Sequence, residues 1–170
     1  LAFGRDDSPV VVESEAKSMS SEITLAQDTC DRALLATHLL AQSEAVARDL
    51  RCHEVRARTV TLKLRTADFQ RHTRSQTLTS PIDSADIIYQ TAVGLLTAFE
   101  MQRPVRLIGV GAGNLQPHAV PVQQELFADA QNQHLRQWEK VDRAMDAIDA
   151  RFGRRCIVRG TLADKNRVEK

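Results

Sequence analysis

The order in which the chain switches hydrophobic period restricts its fold more than any other feature. Residues 17–25, KSMSSEITL, alternate with period two, so Met19, Ile23 and Leu25 share one face and Ser18, Ser20, Glu22 and Thr24 the other. This predicts a half-buried strand. Asp28 and Thr29 then offer N-cap side chains, and Leu35, Leu39, Val46 and Leu50 recur at helical spacing through about residue 51. Period two returns in RTVTLKLR, residues 58–65, where Val60, Leu62 and Leu64 face a core and Thr59, Thr61, Lys63 and Arg65 face away from it. Thr66 to Gln70 predicts a turn, and 71–78 a returning strand with Thr73, Ser75 and Thr77 on one parity and Arg74 and Leu78 on the other. A core-facing Leu78 would turn Arg74 inward as well, unless a bulge or the sheet edge frees it. Pro81 and Asp83 open a second amphipathic helix, capped by Asp83 or Ser84, with the stripe Ile88, Ala92, Leu95 and Phe99; Pro104 ends it. Residues 105–110 predict a short, mostly apolar strand, after which the glycines and Asn114 turn the chain and close the unit.

Strand, helix, strand, strand, helix, strand over residues 15–115 is the α+β split βαβ pattern, ferredoxin-like βαββαβ. It implies a four-stranded antiparallel sheet with two helices on one face. The other face is left open, and Ser18, Ser20, Thr61, Lys63 and Arg65 point to it. Residues 116–134 are polar, with Pro117 and Pro121, and predict a flexible linker interrupted at 123–127 by QQELF. Residues 135–170 predict an amphipathic helix, with Leu135, Trp138, Val141, Met145, Ile148 and Phe152 as its stripe, then a charged, frayed tail.

Composition narrows the function classes. The net charge of +1 provides no global attraction to nucleic acid or membrane, so any electrostatic role depends on distribution. That distribution is uneven: between Arg51 and Leu78 seven basic residues stand against Glu54 and Asp68, a local net of +5. Cys30, Cys52 and Cys156 are odd in number and lack C-x-x-C spacing, which argues against a disulfide framework or a zinc site and fits a reducing cytoplasm. No apolar run approaches the ~20 residues of a membrane span. Neither Asp6–Asp7, nor His38, nor the adjacent Cys52–His53 forms a catalytic or metal-binding constellation, and the glycines at 109, 111 and 113 do not open a helix after a first strand as a phosphate loop must.

The basic strand face differs in kind. It mixes Lys and Arg with Ser and Thr, the set that hydrogen-bonds phosphate oxygens without reading bases. Aromatic residues are 4% of the chain, and Phe69 alone lies in the hairpin, at its turn. A sheet that stacks single-stranded bases needs aromatics in its middle strands, so the pattern favours a duplex backbone.

The phrases KSMSSEIT, VTLKLRTADFQRHTRSQTL, IDSADIIYQTAVGLL and PVRLIGVGAGNL, in this order, resemble the C-terminal little-finger domain of Y-family DNA polymerases over roughly residues 5–115. The resemblance implies error-prone, template-directed translesion synthesis by the parent protein. Its magnesium would bind in a palm domain that no residues here match, so this chain should hold no cofactor and catalyse nothing alone. Residues 1–14 resemble the end of the preceding thumb and its linker. The family's little finger grips primer-template duplex DNA, and motif position carries that role to Lys17, Ser18, Ser20, Lys63, Arg65, Arg71, Arg74 and Ser75. QQELF resembles the Q-x-x-L-F peptide with which such polymerases bind a sliding clamp, with Gln123, Leu126 and Phe127 as its anchors. Two other readings share these features: a catalytically silent adaptor with the same DNA and clamp contacts, and a ferredoxin-like regulatory domain for a small molecule.

Overall fold

The computed structural model describes residues 16–121, 130–153 and 156–163. All of the expected thumb-and-linker segment 1–14 and all of the expected clamp peptide 123–127 lie outside the described residues. The elements run β1 (Ser18–Thr29), α1 (Arg32–Cys52), β2 (Val55–Thr66), β3 (Arg71–Ile82), α2 (Ala85–Ala98), β4 (Val105–Pro117), α3 (Ala130–Phe152) and α4 (Gly160–Ala163). The four strands form one sheet in the order β1-β4-β2-β3, every neighbouring pair antiparallel. Strand β4 is inserted between β1 and β2, which splits that βαβ unit, as the order of periods implies.

Several boundaries differ from the sequence expectation: Pro81, expected to open α2, lies within β3, which runs on to Ile82, and α3 begins at Ala130, inside the expected linker. Strand β1 extends to Thr29, so Asp31 rather than Asp28 or Thr29 caps α1; its carboxylate accepts from the Ala33 and Leu34 amides at 2.8 and 3.3 Å. Thr29 Oγ1 instead accepts from the Asp31 amide at 3.0 Å. Strand β4 runs 13 residues, straight through the glycines that were expected to turn the chain. Those glycines sit in the ladder: Gly109 pairs with Glu22 and Lys63, Gly111 with Ser20 and Thr61, Gly113 with Ser18 and Thr59.

The core lies between the sheet and α1 with α2. Leu35, Leu39, Val46 and Leu50 of α1 meet Val60, Leu62 and Leu64 of β2, Ile108 and Val110 of β4, and Ile88, Ala92 and Leu96 of α2. Ten of these twelve side chains have no accessible surface, the exceptions by a few per cent being Leu64 and Leu96, and each buried Leu, Ile or Val contributes about 1.5–3 kcal/mol.

Helix α3 folds back onto the helix side of its own domain. Asp142, 4% exposed, accepts from the Ala85 amide at 2.9 Å and so caps α2, whose own N-cap Ser84 makes no side-chain cap bond. Arg51 of α1 pairs with Asp142 and Asp146, and Arg48 with Asp146 and with Asp149 at 3.1 Å. Arg159, just before α4, pairs with Glu44 at 2.9 Å and reaches Asp86 and Asp142, its guanidinium 4.8 Å from the Trp138 ring centre. Burial opposes the charge on Arg51, yet its hydrogen bond to Asp146 and the fields of Asp146, Asp142 and Asp83 raise its pKa above the ordinary value. The tail expected to be frayed thus contributes Arg159 to an ionic clasp.

Candidate nucleic-acid interface

Strand pairing assembles the open face row by row. One row runs Ser18, Gly113, Thr59, Thr77; the next Ser20, Gly111, Thr61, Ser75; the next Glu22, Gly109, Lys63, Thr73; the last Thr24, Leu107, Arg65, Arg71. Because side chains alternate across a strand, these residues share the side opposite Leu62, Leu64 and Val110. The face therefore has a hydroxyl-rich end and a basic end, with Lys63 between them.

The glycines of β4 form its floor. A Cβ on Gly109 would stand 2.6 Å from Glu22 Cβ and 2.9 Å from the Ser21 carbonyl oxygen, so a side chain here forces β1 to shift. A Cβ on Gly111 would lie 3.8 Å from Lys63 Cε, because the lysine crosses the floor from β2 to β1. There Lys63 Nζ donates to Ser20 Oγ at 3.1 Å and stands 3.9 Å from Glu22. Thr61 and Ser75 hydroxyls share a hydrogen bond of 3.0 Å, and those of Thr59 and Thr77 one of 3.2 Å.

At the basic end Arg65 and Arg71 sit directly opposite each other on the β2–β3 ladder, and among the described residues no carboxylate lies within ion-pair reach of either. Like charges placed so repel, by about 0.2–1 kcal/mol. Phe69 at the hairpin tip, in the left-handed region with φ 64°, lies under two guanidinium groups, Arg65 at 5.2 Å and Arg106 at 4.8 Å. The loop closes through the Phe69 amide to the Thr66 carbonyl at 2.8 Å and the Thr66 amide to the Gln70 carbonyl at 3.0 Å.

The structure brings together Ser18, Ser20, Lys63, Arg65, Arg71 and Ser75, with Lys17 exposed just ahead of β1. It separates Arg74 from them. Arg74 pairs with the fully buried Leu62 and so points to the helix side, where its guanidinium stands over the Phe99 ring at 5.9 Å. Strict alternation holds from Arg71 to Thr77, and the bulge lies beyond Thr77, too far along the strand to turn Arg74 outward. Arg58 is occupied at that bulge, donating to the Thr79 carbonyl at 2.8 Å. Sequence reasoning missed Arg106. The register shifts between the Arg65–Leu107 and Thr66–Val105 pairs, and the extra residue this leaves brings Arg106 to Phe69 and to Asp28 at 3.2 Å. Periodicity carries no sign of such a shift.

Among the described residues no group of three or more His, Cys, Asp or Glu side chains is placed to hold a metal ion. No helix of the described residues is long and apolar enough to cross a membrane.

Several known proteins are similar to this chain. A DNA polymerase IV of Caulobacter vibrioides is 36% identical over 160 residues, 94% of this chain and 38% of that protein. Those of Methanoculleus marisnigri and Streptomyces coelicolor are 43% and 37% identical, over 68% and 76% of this chain and 32% and 26% of their own lengths. The chain thus spans about a quarter to two fifths of the curated relatives it matches. Among solved structures, an insertion ternary complex of Dbh DNA polymerase superimposes with TM-score 0.54 and 21% identity, over 68% of this chain and 33% of that one. A little finger domain of PolIV in complex with the beta-clamp processivity factor gives 0.51 and 21%, over 65% and 99%; at these identities the likeness is one of fold. Residues 16–126 match the model of the impB/mucB/samB family C-terminal domain, and the chain belongs to that family.

Proposed function

We propose that this chain is the DNA-gripping and clamp-docking C-terminal part of an error-prone translesion polymerase, a DNA polymerase IV, acting in the cytoplasm. The observation that carries this reading is the Arg65–Arg71 pair, with no carboxylate partner among the described residues, on a sheet face over which no helix of those residues packs. Folding gains nothing from that repulsion, whereas a duplex backbone laid along the face relieves it. Lys17, Lys63, Arg65 and Arg71 neutralise phosphates, and Ser18, Ser20 and Ser75 donate hydrogen bonds to them. Arg74 is left out of this set because it lies on the other side of the sheet. Gln123, Leu126 and Phe127 take the clamp in this reading. Polymerisation and its magnesium belong to a palm domain with which this chain would act.

Affinity for a duplex, measured by fluorescence anisotropy over a salt series, tests the grip. Four phosphate contacts give a slope of about −3.6 in log K against log salt. Affinity indifferent to salt would overturn it. For the clamp contact, Leu126→Ala with Phe127→Ala abolishes retention in a clamp pull-down; retention equal to the parent's would refute that part alone.

A further inference from the structure

On the helix side of β3, past the end of α2, Thr66, Gln70, His72, Arg74, Phe99 and Arg103 line a cleft of about 420 Å³. Arg74 stands 5.9 Å over the Phe99 ring centre, and the His72 ring lies 5.2 Å from it. Within the protein the Arg74 guanidinium donates to the Thr73 carbonyl at 3.1 Å. Among the described residues no carboxylate pairs with it, although Asp68 and Glu100 also line the cleft; Asp68 is held by Arg103 at 3.3 Å and by the Thr66 hydroxyl. Among the described residues strand β3 is a sheet edge, hydrogen-bonded to β2 alone, so its outer N–H and C=O groups have no sheet partner there.

We infer that this edge and cleft dock an extended acidic polypeptide, which adds as a strand to β3 and places a Glu or Asp side chain on Arg74. A guanidinium seated on an aromatic face keeps its fork of donors oriented toward a carboxylate at little entropic cost. The open edge supplies main-chain hydrogen bonds that a polypeptide alone can match. Residues 71–78 contain three cationic or titratable basic side chains, Arg71, His72 and Arg74, and no acid, which suits an acidic strand. The surface is distinct from the open face: Arg74 belongs to it, and Lys63, Arg65 and Arg71 turn the other way.

The test is an NMR titration of the 170-residue chain with a decapeptide alternating Glu and Val, a matched Gln/Val decapeptide, and inorganic phosphate. The Glu/Val peptide shifts the amides of His72 to Leu78 and of Phe99 to Arg103 saturably. Arg74→Glu weakens that binding at least about tenfold, and Arg74→Gln, which keeps much of the shape, weakens it in the same direction. Both variants keep duplex affinity within about twofold, since the phosphate contacts lie on the other face. Equal binding of the Gln/Val peptide, equal shifts from phosphate alone, shifts confined to the Lys63–Arg65 face, or an unchanged affinity in both Arg74 variants overturns the inference. Failure of the parent chain to bind duplex would refute the function proposed above and leave this one standing.

Discussion

The clasp beneath α3 and the open sheet face use the same side chains for opposite ends. In the clasp, Arg48, Arg51 and Arg159 each meet at least two carboxylates, and Asp142 is 4% exposed. On the open face Arg65 and Arg71 meet each other, and Lys63 meets a serine and one distant glutamate. Both regions are rich in arginine, so a count of charges does not tell them apart; the placement of acids does. A buried guanidinium with carboxylates on every side serves cohesion, because losing one partner strands a charge in low dielectric. An exposed one with hydroxyls around it costs little to keep and remains available to a ligand.

The widest gap between the two regions follows from removing one side chain from each. Asp142→Ala takes away the cap on α2 and a shared partner of Arg51 and Arg159, and lowers stability by about 3 kcal/mol in urea unfolding, the lower end for a buried pair because Asp146 and Glu44 remain. A loss under about 0.5 kcal/mol would mean that the clasp holds α3 without supporting the domain. Next in size, Gly109→Ala forces a methyl against Glu22 Cβ and the Ser21 carbonyl and costs about 1–3 kcal/mol by the same assay. Gly113→Ala, whose new methyl meets no atom nearer than 4.0 Å, is neutral or slightly stabilising. Smaller again for folding is Lys63→Ala with Arg65→Ala: unfolding midpoints stay within the error of surface changes, while the salt slope of duplex binding falls by about 1.8. Should those two substitutions destabilise the fold as Asp142→Ala does, the contrast between the regions collapses.

The fold was legible because each element announces its period over many residues. Leu35, Leu39, Val46 and Leu50 can share a face only in a helix, and Val60, Leu62 and Leu64 only in a strand. Long-range pairing was not legible. The glycines of β4 read as a turn because a glycine's local preference permits one; only Glu22 and the Ser21 carbonyl across the ladder make a side chain at 109 costly. The α2 cap could not be found locally either, since Asp142 lies 57 residues away. For the open face, alternation located Lys63 and Arg65, and the same rule applied to β3 sends Arg74 to the far side. Arg106 depends on a register shift in β4, and nothing in the spacing of VRLIGV encodes it.

The smallest predicted effect lies at the hairpin tip, where the basic end of the open face meets the cleft of Arg74. Asp68 accepts from the Thr66 hydroxyl and from backbone amides and sits beside Arg103; the Thr66 bond foremost among these holds its pKa below the ordinary carboxylate value. A carboxylate depressed on folding stabilises above its unfolded pKa, near 4, and that contribution disappears as pH falls through the lower folded value. Thermal melts between about pH 5 and pH 2 should therefore drop more steeply for the parent than for Asp68→Asn, which has no proton to take up there. The difference is small because the group is exposed, and 0.5 M salt shrinks it further. Parallel curves for the two proteins would show that the hairpin tip is held by its backbone hydrogen bonds and by Phe69 beneath Arg65 and Arg106, with Asp68 a bystander to both surfaces.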